Sequence, residues 1–152
     1  MSKRIAFTEE NCTNCHLCSM YCSLVFSEQG KYEYRPAISR IRVCESDDHR
    51  TYAAHVCLQC DEPACMDACP VGAITKDPKT GIVEIDSWQC TGCESCVDAC
   101  EYDCVFLVED VAVKCEVCDD PLCVKACAAH ALTLVDDDQV DEQGALYKEV
   151  RI

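Results

Sequence analysis

The sequence is poor in basic residues and in long apolar runs. Its 13 Lys and Arg stand against 28 Asp and Glu, which gives a formal net charge of -15. Binding phosphates requires clustered basic residues, so nucleic acid is not expected as a partner. No stretch approaches the roughly 18 consecutive apolar residues of a membrane-spanning helix, and the first seven residues, MSKRIAF, have no apolar signal segment. We therefore expect an acidic protein of the cytoplasm without a membrane span.

The sequence also lacks the common catalytic motifs. It has no glycine-rich phosphate loop, no nucleophile with an adjacent base, and no identifiable flavin or nicotinamide fingerprint. We therefore predict a protein that is not itself an enzyme, with any catalysis belonging to a partner.

Cysteine is what the chain has in abundance. Of its 18 cysteines, all but Cys44 and Cys104 fall into four blocks of four. The blocks are Cys12, Cys15, Cys18 and Cys22; Cys57, Cys60, Cys65 and Cys69; Cys90, Cys93, Cys96 and Cys100; and Cys115, Cys118, Cys123 and Cys127.

The spacing within a block points to iron-sulfur chemistry. Two-residue gaps let successive thiolates converge from one tight turn, whereas the fourth cysteine, displaced by three residues, points away. In bacterial ferredoxins that fourth cysteine ligates the other cluster of a pair. The sequence therefore predicts four [4Fe-4S] clusters held in pairs. They would supply much of the core, so we expect folding to be coupled to cluster assembly.

Two other uses of cysteine are less favoured. Disulfide scaffolds belong to oxidising compartments and usually follow a secretory signal. Structural zinc prefers pairs of cysteines separated by a loop, and four cysteines in so short a run would crowd one ion.

Blocks one and three share a short cysteine spacing, and blocks two and four share a longer one, so the chain reads as a duplication. The residues that flank the blocks suggest how the blocks pair. Residues 70–89 contain a short apolar segment, a turn and a strand at Ile82 to Ile85, like the connector of a two-cluster bacterial ferredoxin. Blocks two and three are thus predicted to form an inner unit at about 57–104. Similar flanks place blocks one and four in an outer unit, at about 3–22 plus 115–135, which resembles the inner one circularly permuted.

This pairing predicts four ligand sets in a single α+β domain of two pseudo-symmetric ferredoxin-like units spanning 1–152. Pairing of block one with two, and of three with four, stays open on spacing alone. The predicted sets are Cys12, Cys15, Cys18 and Cys127; Cys22, Cys115, Cys118 and Cys123; Cys57, Cys60, Cys65 and Cys100; and Cys69, Cys90, Cys93 and Cys96.

The main departure from duplication is an insert at about 30–56. Its alternating segments predict a β-hairpin closing at Ser46 to Arg50. The hairpin is either a docking element or a cover for the first cluster. The tail at 136–152 begins with an acidic run and ends in an alternation that could form an edge strand.

The remaining notable side chains have modest expected roles. Cys44 and Cys104 are predicted to be small buried hydrophobes, although Cys104 could substitute as a ligand. His16 and His130 are expected at the surface or beside a cluster, not as ligands. Trp88 and Tyr102 are expected to pack against clusters.

The order of the blocks, the insert after the first and the CPVGAI stretch at 69–74 resemble the four-cluster electron-transfer subunits of the dimethyl sulfoxide reductase type. The short chain is most similar to the polyferredoxin-like small subunits of multi-subunit tungsten aldehyde oxidoreductases and of tungsten-dependent aromatic coenzyme A reductases. Formate-, hydrogen- and carbon-monoxide-linked small subunits share the cysteine pattern.

The resemblance implies an electron relay between a tungsten- or molybdenum-pterin subunit and a flavin subunit or soluble ferredoxin. A free, diffusing polyferredoxin is the main alternative, and an iron-sulfur regulatory module is less favoured because no basic patch is present. End-to-end self-association is a further possibility.

Overall fold

The computed structural model describes residues 3–27, 34–46, 50–136 and 138. Its strands are β1 (Lys3–Phe7), β2 (Ile41–Glu45), β3 (Tyr52–Val56), β4 (Ile74–Lys76), β5 (Val83–Ile85), β6 (Phe106–Val108), β7 (Val111–Val113) and β8 (Leu132–Asp136). Its α-helices are α1 (Leu17–Val25), α2 (Ala64–Asp67), α3 (Ser95–Asp98) and α4 (Leu122–Lys125), and short 3-10 turns lie at Glu9–Asn11 and Pro36–Ile38. This small α+β structure agrees with the predicted fold class.

The described strands pair antiparallel as β1–β8, β2–β3, β4–β5 and β6–β7. The β1–β8 pair joins residues near both ends of the chain, with Ile5 opposite Leu134 and Phe7 opposite Leu132. The backbone N–H of Thr8 extends this pairing by donating to the Ala131 carbonyl at 2.8 Å. Helices α1 and α4 also contact each other. Blocks one and four therefore lie side by side.

The β4–β5 pair occupies the segment between blocks two and three. Ile74 stands opposite Ile85 and Lys76 opposite Val83, and Ile74 and Val83 are buried. Helices α2 and α3 contact each other beside this hairpin. The strand predicted at Ile82 to Ile85 is present as β5.

The insert forms the predicted hairpin through β2 and β3, with Ile41 opposite Val56. Both of these side chains are buried. The Arg42 guanidinium lies 3.9 Å from the centroid of the Phe106 ring. The insert therefore packs against β6. Residues 30–33 and 47–49 of the predicted insert lie outside the described residues, as does most of the predicted tail.

The β6–β7 hairpin was not predicted from the sequence. Its two turn residues, Glu109 and Asp110, have φ of 49° and 64°, as the two-residue turn that suits the twist of paired strands requires. Asn-Gly or Asp-Gly would have indicated such a turn, whereas Glu-Asp does not.

Two buried polar side chains join β5 to block four. Gln59 donates from Nε2 to the Cys115 carbonyl at 2.7 Å, and its Oε1 accepts the Val83 N–H at 2.8 Å. Lys114 Nζ donates to the carbonyl oxygens of Val83 and Cys115. Each side chain therefore connects the hairpin between blocks two and three with block four.

Within the described ranges, the longest helix is the nine-residue α1, and none could cross a membrane.

Gly92 provides a test of close backbone packing. Its φ is 67°, and a Cβ added there would lie 2.4 Å from the Asp110 carbonyl oxygen. Gly72 has a similar φ of 64°, but nothing lies within 4 Å of its added Cβ. We expect Gly72→Ala to cost about 1–2 kcal/mol from backbone strain, and Gly92→Ala to cost clearly more because of the clash.

The two variants are compared by the rate at which the visible absorbance of the clusters is lost in denaturant. Equal rates for the two variants would contradict the close approach of Gly92 to the β6–β7 turn.

Candidate metal centres

The fold gathers the sixteen block cysteines into four groups. The groups are numbered so that consecutive numbers denote neighbouring groups. Group 1 is Cys12, Cys15, Cys18 and Cys127; group 2 is Cys22, Cys115, Cys118 and Cys123; group 3 is Cys57, Cys60, Cys65 and Cys100; and group 4 is Cys69, Cys90, Cys93 and Cys96. In each group, the charge of the fourth cysteine of one block acts on at least one of the first three cysteines of another block.

Groups 1 and 2 are formed by cysteines of blocks one and four. Burial raises the pKa of Cys18 to about 11, with further increases from the charges of Cys127, Cys12 and Cys15. Burial likewise raises the pKa of Cys123 to about 12, and among the neighbouring charges that of Cys22 raises it most. Cys127 of block four therefore lies near the first three cysteines of block one, and Cys22 of block one lies near those of block four.

Groups 3 and 4 are formed in the same way by cysteines of blocks two and three. Burial raises the pKa of Cys65 to about 11, and the charges of Cys57, Cys100 and Cys60 raise it further. The pKa of Cys96 is raised by burial and by Cys90, Cys69 and Cys93.

Two of the groups line cavities whose walls are largely apolar. All four cysteines of group 1 face a cavity together with Phe7, Val43 and Leu132. All four of group 4 face another, with Ile74 and Ile85. Four thiols around an enclosed apolar space suit a [4Fe-4S] cluster, which cysteine thiolates hold. Over the described ranges, no three His, Cys, Asp or Glu side chains converge on the position of a single metal ion.

A left-handed residue precedes the second cysteine of every block. These residues are Asn14, Gln59, Gly92 and Val117, with φ between 52° and 67°. Such residues let successive backbone N–H groups turn toward one side, a concave arrangement that favours anions. Val117 is β-branched, for which this conformation is a clear outlier. Local strain is thus accepted where the thiols must converge.

The fourth cysteine of every block accepts a backbone hydrogen bond at its sulfur. Three of these bonds come from four residues further on, at 3.2–3.4 Å, and the pairs are Ala73 N–H to Cys69, Cys104 N–H to Cys100 and Ala131 N–H to Cys127. The turn that permits them has a left-handed residue three positions after the cysteine: Gly72, Asp103 and His130. Hydrogen bonds to sulfur are one means by which proteins set cluster potentials.

Block one makes the equivalent bond differently. Helix α1 continues beyond Cys22 to Val25, so the chain cannot turn back at once. The Arg40 N–H of the insert donates to Cys22 Sγ at 3.3 Å instead. The Arg40 guanidinium also stacks on Phe26, 3.5 Å from the ring centroid, and pairs with Glu116. The insert thus supplies a bond that the other blocks make locally.

Cys104 is buried, as predicted. Its sulfur lies 3.1 Å from the Tyr102 carbonyl oxygen and 3.3 Å from the Val56 carbonyl oxygen. A hydrogen bond from its single S–H to the Cys100 sulfur lowers the pKa of Cys100 to about 5. Cys104 is therefore a hydrogen-bonding neighbour of Cys100, which is a candidate cluster ligand.

The predictions for Cys44 and Trp88 were wrong. Cys44 is exposed because it alternates with Ile41 and Val43, which face inward from β2; its sulfur lies 3.3 Å from His55 Nε2. Trp88 is 97% exposed because it lies in the turn after β5, so it packs against no cluster site. Tyr102 is also exposed, and its carbonyl lies within hydrogen-bond distance of the Cys104 sulfur.

His16 and His130 are both exposed. Both have positive φ, and His16 precedes α1. Their observed contribution is to the backbone turns beside Cys15 and Cys127.

Comparison with known proteins decides the family. Residues 49–137 match the family described as 4Fe-4S dicluster domain. The chain belongs to this family. It is an iron-sulfur, ferredoxin-like electron-transport protein, and the match spans blocks two to four.

Relatives of this 4Fe-4S dicluster protein cover most of its length. The ferredoxin-like protein YdhX of Escherichia coli K12 is 34% identical over 152 residues, covering 91% of this chain and 67% of YdhX. The electron transport protein HydN of the same strain is 30% identical over 169 residues, covering 95% of this chain and 94% of HydN.

A solved structure has the same fold. It is a chain of the active-site complex BamBC of benzoyl coenzyme A reductase with 1,5-dienoyl-CoA, at 22% identity and a TM-score of 0.52. The alignment covers 92% of this dicluster protein and 82% of that chain.

Three residues at these sites were not found by sequence reasoning: Gln59, Arg40 and Lys114. Each acts through tertiary contacts with another block, and none belongs to a spacing motif. The only local signal is that Gln59 and Lys114 lie next to or near block cysteines.

Exposed cysteines allow a matched test of ligand identity. Cys15 and Cys44 are both exposed, but only Cys15 belongs to a group. We expect Cys44→Ser to keep the full iron content because it removes no ligand, and Cys15→Ser to lose about one cluster's iron. Iron and acid-labile sulfide are measured per chain after anaerobic purification, and equal losses would contradict the assignment.

Proposed function

We propose that this chain relays single electrons through four [4Fe-4S] clusters between a catalytic oxidoreductase subunit and a second electron carrier. The observation that carries the proposal is a linear order of four thiol groups with exposed cysteines only at its ends. Of the sixteen block cysteines, only Cys15 in group 1 and Cys93 in group 4 are exposed.

Neighbouring groups support this order. Cys18 of group 1 acts electrostatically on Cys123 of group 2. Cys57 of group 3 acts on Cys115 of group 2. Groups 3 and 4 share one apolar cluster, which contains Cys65 and Cys96. An electron accepted at one end would therefore pass through two shielded sites before it left at the other.

In this relay, the protein's own residues would bind the clusters, shield them from water and tune their reduction potentials. The thiolates of groups 1 to 4 would hold the four clusters in the ligand sets predicted from spacing, and the clusters supply one-electron redox chemistry when bound. Apolar side chains exclude water, and backbone N–H groups stabilise the sulfurs of the fourth cysteines. Because thiols must stay reduced before assembly, we place the protein in a reducing compartment, the cytoplasm.

The acidic composition supports transfer to other proteins. A net charge of -15 would attract basic patches on partners and speed encounter. The proposed catalytic partner is a tungsten- or molybdenum-pterin oxidoreductase, on the resemblance of the cysteine pattern, with a flavin subunit or ferredoxin as the second carrier. A freely diffusing polyferredoxin is the alternative, favoured by the presence of two exposed ends.

Metal analysis of the protein co-purified anaerobically through a tag on this chain tests the proposal. We expect about sixteen irons per chain, after subtraction of iron in any partner, because four four-iron clusters are held. Stoichiometric tungsten or molybdenum would identify the catalytic class. Full iron with neither metal would favour the free carrier, and zinc or half the iron would refute the four-cluster relay.

The crossed ligand sets have their own test. Cys22→Ser and Cys115→Ser should alter the same cluster, since both belong to group 2, whereas Cys69→Ser should alter another. Electron paramagnetic resonance of the reduced protein identifies the affected signal. A Cys22→Ser lesion matching that of Cys57→Ser instead would support pairing of blocks one and two.

A further inference from the structure

Lys114 is a fully buried lysine that bonds two separate segments of the chain. Its relative exposure is 0%, and it is the largest fully buried side chain among the described residues. Its Nζ donates to the Val83 carbonyl of β5 and, at 3.2 Å, to the Cys115 carbonyl of group 2. Burying an ammonium group is costly unless charge or hydrogen bonds compensate. A lysine held here therefore requires a reason beyond packing.

The position of Lys114 is between groups 2 and 3. It directly precedes Cys115 of group 2, and its Nζ donates to the Val83 carbonyl. The Val83 N–H in turn donates to Gln59, the residue directly before Cys60 of group 3. A positive charge on Lys114 therefore lies between the two middle groups of the order.

A buried positive charge favours the reduced state of a nearby cluster. Four thiolates make each cluster site net negative, and accepting an electron adds negative charge. In the low-dielectric interior, an adjacent cation offsets that charge far more than a surface cation can. Net charge and hydrogen bonding are among the factors that set cluster potentials.

We propose that Lys114 raises the reduction potentials of the central clusters, at groups 2 and 3, above the values they would have without its charge. This rests on the proposed function. Electrons entering from either end would then rest on the shielded central clusters. The chain would hold charge in its interior as well as conduct it.

The test is a redox titration of the intact protein followed by electron paramagnetic resonance. Wild type is compared with Lys114→Met, which keeps an unbranched side chain one atom shorter and removes the charge. We expect at least one central cluster to become harder to reduce, with a tenfold lower reduced-to-oxidised ratio at fixed potential, or about 59 mV. Signals are assigned with Cys65→Ser, Cys123→Ser and Cys18→Ser.

Two matched controls separate the buried charge from exposed ones. Lys125→Met removes the same charge from an exposed side chain that pairs with Asp120, so we expect a far smaller shift. Arg35→Met removes another exposed positive charge, which pairs with Glu109 outside the cysteine blocks. We expect it to leave the midpoints near those of wild type.

Should Lys114→Met fail to assemble, Lys114→Gln and Lys114→Arg decide the question. Gln removes the charge and keeps a hydrogen-bond donor, so it should lower the central midpoint, whereas Arg keeps the charge and should preserve it. Unchanged midpoints in Lys114→Met or Lys114→Gln, or equal falls with Gln and Arg, would overturn this inference. The wild-type iron count tests the relay itself separately.

Discussion

Burial of ionisable thiols is the constraint on which this structure depends. Burial raises the pKa of Cys18 and Cys65 to about 11 and those of Cys115 and Cys123 to about 12. Without metal these thiols keep their protons at neutral pH, and iron must displace those protons to bind. The same sulfurs belong to the apolar clusters that form the core. Completing the core and assembling the cofactors are therefore closely linked events.

The displaced cysteine of each block ties this constraint to the backbone. Three blocks end their helix after one turn, reverse at a left-handed residue and donate an N–H back to the sulfur. In block one the longer α1 prevents this, and Arg40 of the insert restores the bond. The insert also contributes Val43 and Ala54 to the wall of the group 1 cavity. These contacts favour a role of the hairpin in covering the group 1 cavity, and they give less support to a role in docking.

The sequence analysis was most informative where chemistry depends on spacing. The cysteine gaps predicted the iron-sulfur family, and the flanks of the blocks predicted strands that the structure forms. The crossed ligand sets and the circular permutation stay predictions. Lys114 and Gln59 were missed because their burial depends on where distant segments meet. Trp88 and Cys44 were misjudged because residue type favours burial, whereas a turn and the strand alternation exposed them.

The pairing of β1 with β8 has a consequence for biosynthesis. Blocks two and three follow one another in the chain, so all eight of their cysteines have left the ribosome soon after Cys100. The strand β1 instead pairs with Leu132–Asp136, and in the proposed ligand sets block one also needs Cys127. Because chains are synthesised from the N-terminus, block one waits for both of these later segments with its thiols unprotected. In the proposed sets, the cysteines of block one are thus made before those of the other blocks but enclosed after them, which leaves them open to oxidation in a nascent chain.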